Sequence, residues 1–232
     1  MFPAPAGWDH PDSPYKPRED VDVVVFPTFL DLRKCIEAGL PTVGAQCARP
    51  EPTGAYTGDI SMQMVKDLGC RYVLCGHSDR RQFHGETDAF VAEQANAARA
   101  LGLIPIICIG ETLEKRRARK AKEVITRQLA PLPLDAETVL AYEPVWAISR
   151  GDPTKPAATT KDAEEMHALI RSLLPEELRS SLRIIYGGSM KGENAEELLR
   201  EPNIDGGLVG NASLTLREFQ RIVDIAASTT KP

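Results

Sequence analysis

Seven short apolar runs, alternating with stretches of helical periodicity, constrain this chain more than any other feature. The runs cover residues 21–26, 42–46, 71–75, 104–109, 138–142, 183–186 and 206–209. They are rich in Val and Ile and nearly unbroken, as strands buried on both faces must be. Between them, 88–101 (DAFVAEQANAARAL) repeats apolar residues at helical spacing and stops before Gly102, a helix-ending signal. Residues 161–174 and 214–227 carry a similar period. Strand alternating with helix implies parallel strands joined by right-handed crossovers. The class expected is α/β, a (β/α) barrel domain over residues 21–228.

The first twenty residues break this pattern. Prolines at 3, 5, 11, 14 and 17 leave no room for a regular strand or helix. A parallel crossover needs a dozen or more residues after its strand. A strand at 5–8 would leave only 12 before position 21, three of them proline. The expectation is therefore a barrel of seven clear strands, its first βα unit missing or replaced by an irregular Pro-rich segment, 1–20. Such a barrel exposes the edges of 21–26 and 206–209, which the prolines of that segment can cover.

Bulk properties narrow the function classes. At 232 residues the chain fits a single barrel. A net charge of −5 argues against a dedicated nucleic-acid binder, and the basic run 114–122 (EKRRARKAK) reads as a solvated helix face. No apolar stretch reaches the ~18 residues of a membrane span, and no secretory signal pattern opens the chain. Five cysteines without a CxxC pair fit a reducing, cytoplasmic compartment better than a disulfide framework. The four histidines (His10, His77, His84, His167) lack ligand-like spacing, so no metal and no cofactor are expected.

Three constellations carry chemistry. In 141–148 (AYEPVWAI), Glu143 follows an apolar run and precedes Pro144, which puts its carboxylate at the carboxyl end of a strand. There it is either a catalytic base or a capping or pairing residue. His77 follows the 71–75 run in CGHSDRR; Gly76 allows a tight turn, and Ser78 or Asp79 can cap a short helix. A histidine at a helix N-terminus is favoured in its neutral form, able to donate to a carbonyl, although such a residue taken alone is more often a turn or packing histidine. Finally, 186–189 (YGGS) and 209–213 (VGNAS) close two consecutive runs with glycines whose N–H groups are suited to an anion. Together these imply proton transfer beside a carbonyl on a small phosphorylated substrate.

Six motifs, CGHSDRR (75–81), GETD (85–88), PIICIGETLEKR (105–116), AYEPVWAI (141–148), RIIYGGSM (183–190) and DGGLVGNAS (205–213), resemble the triosephosphate isomerase family in order and spacing. GAQCARPEPTGAYTGDIS (44–61) is similar to that family's third strand and following loop, and the resemblance runs over residues 21–227. It implies a TIM-type (β/α) barrel acting in glycolysis and gluconeogenesis on a phosphorylated triose. It implies Glu143 as the base, His77 as the neutral electrophile, and Asp79 and Cys108 as supporting residues. Ser149, Ser189, Gly210 and Asn211 match phosphate-contacting positions. Pro144, Val145, Trp146, Ala147 and Ile148 match the start of a lid that excludes water. Thr57 matches a loop residue that reaches a partner's site, implying a homodimer.

The chain also departs from the family pattern. The family's first strand carries Asn-Trp-Lys-Met-Asn, and no such motif is present; Lys16 is a candidate substitute. Asp79 stands where the family has Glu, Ser149 replaces the lid's first glycine, and Asn211 replaces a glycine of the phosphate turn. A positive φ at position 211 would be tolerated by Asn better than by most residues. Loss of the lysine keeps a second reading open: a catalytically silent barrel that binds a phosphorylated ligand or a protein partner.

Overall fold

The computed structural model describes residues 3–40, 42–148 and 158–229. Five parallel strands form one sheet in chain order: β1 (Gly44–Ala45), β2 (Tyr72–Cys75), β3 (Ile104–Ile109), β4 (Val139–Tyr142) and β5 (Arg183–Tyr186). The flanking runs 21–26 and 206–209 join by one parallel bridge each, Val25 to Val43 and Tyr186 to Gly207. The seven runs thus keep their expected places, but the two outermost are single bridges rather than ladders. Each has a neighbour on one side only: among the described residues no backbone hydrogen bond joins 21–26 to 206–209.

The sheet curls, and side-chain alternation shows how. Tyr72, Leu74, Ile106, Cys108, Val139 and Ala141 form an inner cluster with Val24, Phe26, Ile104, Ile185 and Leu208. The alternating residues, among them Val73, Cys75, Ile107, Leu140 and Ile184, face outward into a larger cluster beneath the helices. Residues from the first and last runs meet in the same inner layer, as a barrel requires. Both faces are covered, which is why the strands read as unbroken apolar runs. Below, Arg183 reaches Asp22 at 2.8 Å, an ion pair between β5 and the beginning of the first run.

Helices follow the strands: α1 (Leu32–Glu37), α2 (Met62–Leu68), α3 (Ser78–His84), α4 (Asp88–Ala100), α5 (Leu113–Arg117), α6 (Ala121–Leu129), α7 (Thr160–Leu173), α8 (Ala195–Leu199) and α9 (Leu216–Ser228). Their caps are local. Thr87 Oγ1 accepts the Phe90 amide at 3.2 Å, and Thr159 and Asp162 make a reciprocal capping box on α7. Here GETD is structural: Glu86 pairs with Arg80, Thr87 caps α4, and Asp88 bridges Arg81 and Arg127. The basic run is not one helix face. Arg119, at φ 57, breaks it into the end of α5 and the start of α6.

The Pro-rich segment packs on the open side's helices through a series of turns rather than a strand or helix. Tyr15 is buried and stacks on Phe219 of α9, with ring centroids 5.0 Å apart. Arg18 bridges Asp20 and Asp224. Lys16 donates to the Ala38 carbonyl just past α1, 3.2 Å away. That position lies at the amino-terminal end of the strands, opposite Glu143, so Lys16 does not replace the family's lysine.

Candidate active site

Each functional side chain is fixed by the way its strand ends. Glu143 is the first residue past β4, and its amide donates to the Ile109 carbonyl at 2.8 Å. It is only 2 % exposed. Gly187, past β5, makes that burial possible. A Cβ there would lie 2.9 Å from Glu143 Cγ and 3.1 Å from the Tyr142 carbonyl.

Gly76 turns the chain out of β2 at φ +69, and a Cβ would strike Val91 at 2.5 Å. His77 then caps α3 itself. Its Nδ1 accepts the Asp79 amide at 3.2 Å, so the ring's proton lies on Nε2, which faces Glu143 Oε1 at 3.1 Å. The cap is therefore neither Ser78 nor Asp79. Ser78 is engaged elsewhere: its amide donates to Glu143 Oε2 at 2.8 Å and its hydroxyl to Oε1 at 3.1 Å.

Burial drives the Glu143 carboxyl above its ordinary value, while His77 and Ser78 pull it down without cancelling the rise. Cys108, fully buried on β3, also hydrogen-bonds this carboxylate. Burial and the charge of Glu143 hold the thiol well above its usual range, so it stays protonated and donates. Asp79 is half-exposed, with its carboxylate 3.9 Å from His77 Nδ1. Its backbone amide makes the closer contact. The result is a partly desolvated carboxylate paired with an imidazole, a combination suited to moving protons.

The residues after Glu143 are held by a buried carboxylate. Pro144 leads into a single 3-10 turn, Val145–Ala147, in which the Ala147 amide donates to the Pro144 carbonyl. Trp146 Nε1 donates to Glu111 Oε1 at 3.0 Å, and Tyr142 Oη contacts both Glu111 oxygens at 3.1 Å. Arg116 pairs with Glu111 and Asp162 and lies over the Trp146 ring. Ile148 is the last described residue of this stretch, and Ser149 lies outside the described residues.

The two glycine loops follow β5 and the 206–209 run. Ser189 is half-buried, and its carbonyl accepts the Asn194 amide group at 3.0 Å. Gly210 and Asn211 are exposed at the start of the 3-10 helix Asn211–Leu214. Arg119 alone among the described non-glycine residues has positive φ, so Asn211 fits its turn without calling on its tolerance of that conformation. Thr57 lies apart, exposed on the 50–60 loop. Arg49 holds the neck of that loop through Asp59, Glu51 and the face of Tyr56. Among the described residues no cluster of His, Cys, Asp or Glu is arranged to hold a metal ion, and no helix is long and apolar enough to cross a membrane.

Sequence reasoning missed Ser78 as a partner of Glu143 and Glu111 as the anchor of Trp146. Both stand inside motifs quoted above, but neither role follows from spacing.

A curled parallel sheet with an acid–base pair and two glycine loops at its carboxyl ends defines an α/β barrel enzyme. Comparison with known proteins gives the particular kind. The triosephosphate isomerase family model matches residues 10–226, and the chain belongs to that family. The triosephosphate isomerase of Chloroflexus aurantiacus is 46 % identical, over 88 % of this chain and 85 % of its own length. That of Magnetococcus marinus is 46 % identical, over 89 % and 86 %. That of Paracidovorax citrulli is 44 % identical, over 90 % and 84 %.

Proposed function

We propose that this chain interconverts dihydroxyacetone phosphate and D-glyceraldehyde 3-phosphate, with Glu143 as base and His77 as electrophile. The 3.1 Å contact between His77 Nε2 and the buried Glu143 carboxylate carries the reading. Glu143 takes a proton from C1 of the ketone while His77 gives its Nε2 proton to the C2 oxygen. The imidazole recovers a proton from the C1 hydroxyl, and Glu143 returns its own to C2, leaving an aldehyde at C1. Every proton balances and no external oxidant or reductant is needed.

Ser189, Gly210 and Asn211, with Ser149, would receive the phosphate. Residues from Pro144 onward would close over the intermediate, with Trp146 on Glu111 as the fixed end of that lid. We further propose a cytoplasmic homodimer, its exposed 50–60 loop carrying Thr57 to the partner. A sedimentation coefficient matching a single chain would overturn that dimer.

The activity is tested by following triose phosphate interconversion with the purified chain beside Glu143→Gln. The expected result is a turnover at least a thousandfold above the variant's, about the loss that removal of a key proton-transfer group causes. Rates no higher than the variant's would instead favour the silent, ligand-binding reading.

A further inference from the structure

The proposed phosphate turn has little to hold it from within. It is a single 3-10 helix of four residues with no side-chain cap, and both Gly210 and Asn211 are exposed. Its own hydrogen bonds run backward: Ser213 donates to the Gly210 carbonyl from its amide at 2.9 Å and its hydroxyl at 2.7 Å. In a trans peptide the C=O and following N–H point in opposite directions. With the Gly210 carbonyl drawn into the turn, the Asn211 amide is directed out of it, available to an anion.

What fixes Ser213 comes from the other end of the chain. The buried Tyr15 donates its hydroxyl to the Ser213 carbonyl, 198 positions away in sequence. Its ring is stacked on Phe219 with an interplanar angle of 23°, so the hydroxyl has a defined direction. Nearby, Gly7 lies against Leu216, where a Cβ would meet Cδ1 at 3.1 Å. Arg18 ties the same segment to Asp224. Burial pushes the phenol up to about 12, so it remains a donor throughout the neutral range.

We infer that Tyr15 is a positioning residue for the phosphate turn, holding the Ser213 carbonyl so that the Asn211 amide is preset to receive the substrate's phosphate. The inference rests on the phosphate reading of Gly210 and Asn211 given above. It assigns the Pro-rich segment a part in substrate binding.

Tyr15→Phe tests it, because the ring and its stacking remain while the hydroxyl is lost. Binding of inorganic phosphate, measured by titration calorimetry, should weaken about two- to tenfold, the worth of one hydrogen bond. The kcat/KM for glyceraldehyde 3-phosphate should fall by a similar factor, with that for unphosphorylated glyceraldehyde unchanged. Equal phosphate affinity in both proteins, or equal losses on both substrates, overturns the inference alone. A wild-type chain that binds no phosphate overturns the phosphate reading as well. If Tyr15→Phe does not fold, Phe219→Leu removes the stacking that aims the Tyr15 hydroxyl; there too, unchanged phosphate affinity is the overturning result.

Discussion

At the scale of single residues, Glu143 is governed by opposing forces. Burial raises its proton affinity, and the donors from His77 and Ser78 restrain the rise. A substrate carbonyl that takes the His77 proton removes one of those donors, so binding itself makes the carboxylate more basic. Burial already raises the carboxyl in the free enzyme, whose groups kcat/KM reports, so its acid limb should lie above the ordinary glutamate value of 4.5; a pH–rate profile with its limb at or below that value would count against this.

Stability carries the same signature. Because the folded-state pKa is the higher one, the contribution of Glu143 is complete below 4.5 and is lost as pH rises through the raised value. Glu143→Gln, which mimics the protonated form, should gain stability over wild type with increasing pH, as read from denaturant midpoints between pH 4 and 8. A gain that shrinks with pH would refute it. Gly187→Ala should lower kcat by about a hundredfold, the effect of an ångström-scale misplacement, because its Cβ meets Glu143 Cγ at 2.9 Å. Steady-state kinetics with a near-wild-type circular dichroism spectrum would show it.

At the scale of elements, caps and packing decide what the sequence alone could reveal. Thr159→Ala removes the capping box of α7 and should destabilise by about 1 kcal/mol in urea unfolding. The capping residues and central strands were legible because their signals are local. The runs at 71–75, 104–109, 138–142 and 183–186 match β2 to β5 within a residue, being continuous apolar segments buried on both faces.

The outer runs read equally apolar, yet each is reduced to a single bridge, because strand length depends on neighbours that the run itself does not encode. The basic run reads as one helix face because its only apolar residues are Ala118 and Ala121, too few to set a period that reveals the break at Arg119. His77, Glu143 and the two glycine loops were legible as candidates. Their mutual geometry was not, and the capping role went to His77 because Ser78 is tied to Glu143 across 65 positions.

At the scale of the whole molecule, the Pro-rich segment and the barrel share one core, since Tyr15 belongs to the same buried cluster as Phe219 and Ile222. Of the two tryptophans, Trp8 belongs to this segment and Trp146 to the turn after Glu143. In Trp146→Phe the fluorescence of Trp8 should thus lose its native signal at the same urea concentration as the far-UV circular dichroism. A Trp8 transition at distinctly lower urea would show the segment to be a separate unit.

The contacts across the open side also fix when the molecule can be finished. Tyr15 to Ser213, Arg18 to Asp224 and Asp22 to Arg183 span 198, 206 and 161 positions. A growing chain cannot make any of them until most of it has left the ribosome, and closing such long loops is entropically unfavourable and slow. Until that moment the inner layer, from Phe26 round to Leu208, is uncovered on one flank and open to association with other nascent chains. Contacts of such separation are the latest that synthesis permits, so the flank they cover is the last part of the inner layer that can be closed.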